Sequence, residues 1–264
     1  MTSLNEQLTT LIENYTACDV SDALLKLQKV PAGSAPRAGY LADLHQVYSE
    51  STLHADISTV PFSPITGRND TARKIAAPAT TFKFLNKADT PPNIAVENPE
   101  KYGFPPGKHW VDYAGDFQDE DPTKAGSIIV IEQPDEQYCA VTGGIMATRM
   151  SYLGIKAAVV GGRVRDLREL QGTELPIWAR ATSTVGTGAE AKAGVRNVPI
   201  SIGGVTVSPG DIIFCDPMEG VVSIPRELLG DVLETMPKLI AMDDQAKEAV
   251  AQGMSVTDAF QKFR

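Results

Sequence analysis

The stretch from Thr142 to Leu170, TGGIMATRMSYLGIKAAVVGGRVRDLREL, constrains this chain more than any other. It opens on a Gly143-Gly144 turn. The spacing that follows predicts a short helix from Ile145 to Leu153, with Gly154 placed where a left-handed residue ends a helix. Ile155 to Val160 is an apolar run too short for a helix and reads as a buried strand. Gly161-Gly162 then reads as a second turn, delivering Arg163, Arg165, Asp166 and Glu169 close together. One βα-type unit therefore links two glycine-rich turns to a dense charge cluster. That is the pattern of a site rather than of a scaffold.

The flanking sequence supplies the body. Leu4, Leu8, Leu11 and Ile12, then Val20, Ala23, Leu24 and Leu27, predict two helices with a tight joint at Thr16 to Asp19 and Ser21 or Asp22 as cap. Residues 29–72 show little periodicity; His45 and His54 lack nearby ligand partners and read as surface residues. Lys74 to Phe84 reads as a strand. Residues 86–125 are a long polar insertion holding Tyr102, Phe104, Trp110, Tyr113 and Phe117. Long loops rich in aromatics predict a lid or an arm onto a neighbouring subunit, the plainer alternative being an insertion packed on its own surface.

Further strands are expected at Gly126 to Glu132, Pro176 to Thr184, Asp211 to Cys215 and Gly220 to Ile224, with a hairpin over Val198 to Val207 turning at Gly203-Gly204. Pro225 opens a helix, another runs from Pro237 to Gln252, and a last one covers Val256 to Lys262 with Ser255 as cap. Helices at both ends enclosing a strand-rich middle make residues 1–264 a single α/β (α+β) domain.

Composition removes several classes of function. Net charge is −9 and the pI near 4.9, without any Lys/Arg block, which argues against nucleic acid and anionic membranes as partners. No run approaches the roughly 18 apolar residues of a membrane span. The N-terminus is polar and acidic, unlike a signal peptide. Cys18, Cys139 and Cys215, without a CxxC, suggest a reducing compartment and ordinary buried thiols, so a cytoplasmic protein is expected.

The charge cluster has a definite chemistry. Arg165 offers a planar fork of donors for a carboxylate or phosphate, and Asp166 is a hard oxygen ligand of the kind Mg²⁺ takes while keeping most of its waters. The Gly143-Gly144 helix start presents free amides and the positive end of a dipole. Together they describe a pocket for a small anion held against a divalent cation, able to polarise a 2-oxo group. The bland alternative is a structural Arg–Asp pair beside glycines needed only for tight turns. Elsewhere, VGTGAEAKAG (Val185 to Gly194) is a weak GxGxxA match lacking the acidic residue expected roughly 20 positions on, and no GxSxG occurs.

The same residues carry a resemblance. GGIMATRMSYLGIKAAVVGGRVRDLREL resembles the core of the RraA-like family, which includes the 4-hydroxy-4-methyl-2-oxoglutarate aldolases: a small-residue turn, a spacer, then Arg-Asp and an acidic residue. Here these are Gly144, Arg165, Asp166 and Glu169. YTACDVSDAL, IAAPATTFKF, GDIIFCDPMEGVVSIP and GMSVTDAFQKF fit the resemblance in order. It implies a β/β/α swivelling-type domain forming a homotrimer or a hexamer, with sites between subunits. It implies a metal-dependent (class II) aldolase that also decarboxylates oxaloacetate. Asp166 would hold Mg²⁺ or Mn²⁺, Arg165 would grip the pyruvyl carboxylate, and amides from Gly143, Gly144, Ile145, Met146 and Ala147 would complete that grip. Glu169 would orient or assist, and a carboxylate from a neighbouring C-terminal helix, Asp243, Asp244 or Glu248, would reach in. Three departures stand out: Gly144 where the aldolases carry an acid that orients a proton-transfer water, Ala77 where glycine is usual, and the 86–125 insertion. They leave room for a specialised lyase, dehydratase or cyclisation catalyst in the same pocket. Some family members are non-catalytic regulators that bind partner proteins.

Overall fold

The computed structural model describes residues 2–29, 33–47, 73–115 and 126–264. Two helices come first, α1 (Leu4–Asn14) and α2 (Ala17–Leu27). Their joint falls at the expected place, but the cap is Thr16 rather than Ser21 or Asp22, which lie inside α2. Thr16 Oγ1 accepts from the Asp19 amide while the Asp19 carboxylate accepts from the Thr16 amide, a reciprocal box that satisfies both. A two-residue strand β1 (His45–Gln46) precedes the long strand β2 (Ile75–Asn86). His45 is exposed, and His54 lies outside the described residues.

The insertion begins with two short helices, α3 (Asn93–Glu97) and α4 (Pro99–Tyr102), and a 3-10 turn at Trp110–Tyr113. Strand β3 (Ile128–Glu132) leads to α5 (Gly144–Tyr152), β4 (Ala157–Val164), α6 (Leu167–Gly172) and β5 (Ile177–Thr182). Strands β6 (Ala191–Arg196), β7 (Ile200–Ile202), β8 (Val205–Val207), β9 (Ile212–Asp216) and β10 (Gly220–Ile224) follow. Helices α7 (Leu229–Ala251) and α8 (Val256–Phe263) close the chain.

β2, β3, β4 and β5 are parallel neighbours, and that arrangement explains their composition. A parallel sheet is covered on both faces, so its strands are apolar throughout. In β3, Ile129 and Ile131 enter one core with Phe82, Phe84, Met150 and Leu170, while Ile128 and Val130 enter another with Trp178, Ile202 and Val207. The first core lies under α5, α6 and the insertion; the second is covered by the β7–β8 hairpin. β2 is antiparallel to β9 through Ile75–Pro78 and to β6 through Phe82–Asn86, and β10 pairs with β9. Helices α1, α2 and α7 pack on β9 and β10 through Leu11, Leu24, Phe214, Val222 and Met236. This is the expected α/β domain with helices at both ends.

Four further readings of the sequence are corrected. Gly161 and Gly162 are not a turn but lie inside β4. A Cβ on Gly161 would stand 2.9 Å from Ile202 Cγ1, and one on Gly162 2.0 Å from Gln133 Oε1, so both glycines permit close approach. Gln133 uses that space to accept from the Arg163 amide and to donate to the Cys139 carbonyl, both at 2.8 Å. β6, in the segment set aside as a weak nucleotide motif, is a strand. Pro237 does not start a helix but sits within the 23-residue α7, whose apolar face outweighs the one backbone hydrogen bond proline cannot donate. Cys18 is exposed, unlike buried Cys139 and Cys215. No helix among the described residues is long and apolar enough to cross a membrane.

Within the insertion, residues 86–115 are described and pack against the chain's own sheet. Trp110 is 7% exposed and meets Phe82 and Phe84 edge-on, with centroids 5.5 and 5.3 Å away. Asp112 Oδ1 accepts from Arg149 Nε of α5 at 2.7 Å, and that guanidinium holds the Asp112 carboxyl below the ordinary carboxylate range.

Trp110→Ala is expected to cost roughly 3–5 kcal/mol in urea unfolding, because it empties a buried aromatic site. Partial burial and the Glu219 carboxylate, which accepts from Cys18 Sγ at 3.4 Å, push the Cys18 thiol up to about 11. Alkylation of Cys18 by iodoacetamide at neutral pH should therefore run well below the rate of free cysteine, despite its exposure.

Candidate active site

The parallel sheet determines where the candidate residues meet. Asp166 follows the carboxyl end of β4, and α5 begins on the connection that leaves the carboxyl end of β3. Ligands of open α/β sheets favour that edge, where crossover helices present their N-termini. A short backbone zipper joins the two halves: the Val141 amide donates to the Arg163 carbonyl and the Arg165 amide to the Thr142 carbonyl, each at 3.0 Å.

Gly143, in extended backbone, is the N-cap of α5. A Cβ there would lie 2.6 Å from Asp166 Oδ2 and 3.1 Å from Arg165 Cγ. At Gly144 it would lie 1.8 Å from Glu169 Oε2 and 2.5 Å from Glu169 Cβ. These glycines therefore serve close approach: the first turn of α5 lies directly against Arg165, Asp166 and Glu169. The cluster anticipated from the sequence is assembled in space.

Asp166 is the N-cap of α6 in left-handed backbone, φ 59° and ψ 45°, a region non-glycine residues rarely occupy. Such strain persists only where surrounding contacts impose it. Here the Asp166 carbonyl accepts from the Glu169 and Leu170 amides at 2.8 and 3.0 Å. Asp166 Oδ2 accepts from the Gly144 amide at 3.3 Å and stands 3.4 Å from Arg165 Nε. Both side chains keep over a third of their exposure, 44% for Arg165 and 35% for Asp166, so the pair contributes little stability and stays open to a ligand.

The amides implied by the resemblance are not equivalent. Ala147 donates to the Gly143 carbonyl at 3.0 Å as the first internal bond of α5, and is not available to an anion. Gly144 is turned to Asp166. The Ile145 and Met146 amides have no acceptor among the described residues and are the first-turn donors left over.

Gly186 was missed as part of this site. It pairs with Ala140 in a parallel bridge, and a Cβ on it would stand 3.0 Å from Arg165 Nη1, so the guanidinium lies over bare backbone. Arg163, next to the cluster in sequence, turns away: Nη1 donates to the Thr182 carbonyl at 3.1 Å and the group stacks over Tyr138. Asp243, Asp244 and Glu248 lie on α7, bound respectively to Arg264, Lys247 and Gln252, and within one chain none bonds to Arg165 or Asp166 among the described residues. Ala77 is buried in β2 opposite Ile213.

The donor set bears on which metal would fit. No group of three or more His, Cys, Asp or Glu that could hold an ion exists among the described residues. A closed zinc cage is thus not built from them, whereas Mg²⁺ is commonly held by one or two carboxylates and several waters. Asp166, with its partly exposed carboxylate, fits the second description.

Comparison with known proteins bears on family and fold. A family model for RraA-like proteins, Aldolase/RraA, matches residues 17–223. A relative from Halalkalibacterium halodurans, provisionally named a 4-hydroxy-4-methyl-2-oxoglutarate aldolase, is 33% identical over 135 residues, covering 51% of this chain and 63% of its own. Protein DlpA of Legionella pneumophila is 29% identical over 137 residues, 52% of this chain and 22% of DlpA. The chain thus spans less than two thirds of either relative. Among solved structures, an uncharacterized protein from Pseudomonas syringae pv. tomato gives a TM-score of 0.62 at 20% identity over 98% of both chains. Streptomyces coelicolor RraAS2, described as an unusual member of the RNase ES inhibitor RraA protein family, gives 0.63 at 17% identity, covering 95% of this chain and 98% of its own. At such identities both show a shared fold. With the family model matching most of its length, the chain belongs to the RraA-like family.

Proposed function

We propose that the chain is a divalent-metal-dependent lyase that cleaves a carbon–carbon bond in a small 2-oxo acid, by retro-aldol cleavage of a 4-hydroxy-2-oxo acid, decarboxylation of oxaloacetate, or both. The observation carrying this reading is the packing of the Gly143-Gly144 helix start against Arg165, Asp166 and Glu169. A cation fork, two open amides and two carboxylates suit a substrate that is an anion at one end and builds up negative charge beside it. Mg²⁺ or Mn²⁺, held by Asp166 and waters, would supply the Lewis acid that polarises the 2-oxo group.

The chain's own groups take the remaining roles. Arg165 and the Ile145 and Met146 amides hold the carboxylate, which fixes the breaking bond in orientation. Glu169 then acts as base. In retro-aldol cleavage it takes the C4 hydroxyl proton, the C3–C4 bond breaks with its electron pair moving to C3 as the enolate, and C4 leaves as a carbonyl. Return of the proton to C3 completes pyruvate. For oxaloacetate the same bond breaks with loss of CO₂, and only the final protonation is needed. Gly144 ceases to be a deficiency in this scheme, because the Glu169 carboxylate fills the volume a side chain at 144 would begin to occupy. General acid–base help of this type contributes about 10²–10⁴-fold.

The proposal extends to assembly. Outward along α7, Asp243, Asp244 and Glu248 lie beyond the main core, in a stretch that buries only Ala246 and Ala249, where a neighbouring subunit of a homotrimer or hexamer could use them.

Arg165→Ala and Asp166→Ala are each expected to lower kcat/KM on oxaloacetate or a 4-hydroxy-2-oxo acid by about 10²-fold or more in Mg²⁺ or Mn²⁺, a transition-state loss of at least about 2.7 kcal/mol. Unchanged turnover in both would remove the assignment. Gly144→Ala must displace Glu169, whose Cβ would lie 2.5 Å from the added methyl and is held by the α6 backbone, so activity should fall at least about tenfold and the thermal midpoint should drop as well. In a Glu169→Gly background, which removes the clashing Cβ together with the carboxylate, the same change should have no further effect on turnover; additive losses would show that the two positions act separately.

A further inference from the structure

Arg165 runs between two glycines that belong to different segments. A Cβ on Gly143, at the start of α5, would lie 3.1 Å from Arg165 Cγ and 3.3 Å from its Nε. A Cβ on Gly186 would lie 3.0 Å from Nη1, 3.4 Å from Cζ and 3.8 Å from Nη2, so the head of the side chain rests on the Gly186 backbone. Gly186 has φ −78° and ψ 157°, a conformation open to any residue. What glycine supplies there is the missing side chain, not backbone freedom. The loop beneath the guanidinium is fastened at several points. The Ala140 amide donates to the Val185 carbonyl at 2.8 Å, and Thr187 Oγ1 donates to the Ala140 carbonyl at 2.7 Å. Glu190 Oε2 accepts from the Tyr138 and Cys139 amides, both at 2.8 Å, and Lys87 Nζ donates to the Gly188 carbonyl at 2.7 Å. Over a floor tied down in this way, a side chain at position 186 is accommodated by movement of the arginine, whose side chain keeps 44% of its exposure.

We propose that Gly186 is a positioning residue, whose bare backbone sets the height of the Arg165 guanidinium so that Nη1 and Nη2 meet a carboxylate side by side. Nε stands 3.4 Å from Asp166 Oδ2, and neither Nη has an acceptor among the described residues. Gly143 confines the stem, Gly186 confines the head, and the edge left over is the planar fork that pairs with a carboxylate through two parallel hydrogen bonds. Confinement before binding lowers the ordering cost of that grip. A bidentate pair needs both donors aligned, so a displacement of roughly half an ångström weakens one of the two bonds. This rests on the carboxylate-binding reading of Arg165 but not on the reaction assigned to the site.

The experiment reads binding separately from turnover. Oxalate, a planar dicarboxylate probe, is titrated in Mg²⁺ into the full chain and into Gly186→Ala, Gly188→Ala, Arg165→Ala and the double variant Gly186→Ala with Arg165→Ala. Affinity is read by calorimetry and by the oxalate-induced rise in thermal midpoint, which follows weak binding as well. Gly186→Ala should bind about tenfold more weakly, the scale of one lost hydrogen bond to a charged group, with its ligand-free midpoint little changed because the clash falls on the far end of a flexible side chain. Gly188 lies two residues further along the same loop, and a Cβ on it meets nothing within 4 Å, so Gly188→Ala should bind as the unaltered chain does. In the Arg165→Ala background, Gly186→Ala should have no further effect, since no guanidinium is left to displace. Unchanged affinity in Gly186→Ala overturns the assignment. So does an equal loss in Gly188→Ala, which would mark loop conformation alone, or a further loss in the double variant, which would mark direct obstruction of the ligand. Unfolding of Gly186→Ala overturns it too, because the floor rather than the arginine would then have given way. The expected pattern without turnover of any 2-oxo acid supports this assignment while removing the lyase reading. Oxalate that fails to bind the unaltered chain, or binds Arg165→Ala as tightly, overturns both.

Discussion

Burial of the β2–β5 strands on both faces is the constraint from which the rest follows. Parallel neighbours cannot be joined by hairpins, so each connection has to cross a face of the sheet and return. α5 and α6 are those connections for β3 to β4 and β4 to β5. Each crossover begins at the carboxyl edge, and two of them begin side by side. The anion-seeking end of α5 and the Arg165–Asp166 pair thus meet because of sheet connectivity, before any chemistry is asked of them.

What then distinguishes this junction from an ordinary crossover is the loss of side chains at Gly143 and Gly144. Any Cβ there would overlap Asp166 or Glu169. Glycine in a first helical turn sacrifices helix propensity, and Asp166 is held in left-handed backbone immediately opposite. Two local conformational costs on facing elements, both easing the same approach, are hard to account for as scaffold. The insertion adds to this from behind: Trp110 and its aromatic neighbours fill the core beneath α5, and Asp112 grips Arg149 on the helix itself.

Much of this was legible in the residues. Helical spacing located α1, α2 and α8, and short apolar runs located β3, β5, β9 and β10, because period and length are local properties. Arg165, Asp166 and Gly144 could be singled out because a charge cluster following a buried strand has few structural uses. The failures share one cause. Gly161-Gly162 carries the same letters whether it forms a turn or admits Ile202 and Gln133, and only the tertiary neighbours distinguish these. β6 is built from Ala191–Arg196, with Gly194 admitting Leu85, and so has almost no strand signal of its own. The seat of Glu169 over Gly144, and of Arg165 over Gly186, depend on side-chain direction, which spacing does not encode.

β2 has a consequence for how the polypeptide comes off the ribosome. Its leading residues, Ile75–Pro78, pair with Ile212–Cys215, and its trailing residues, Phe82–Asn86, with Ala191–Arg196. Synthesis proceeds for a long interval after β2 emerges before either partner exists, at about 5–20 residues per second. Throughout that interval one edge of an apolar strand stays open, the state most prone to pairing with another chain. The proline at position 78 and the charge of Lys83 are features of the kind that blunt such an edge. The domain is therefore expected to close late and all at once, with its last strands acting as the latch.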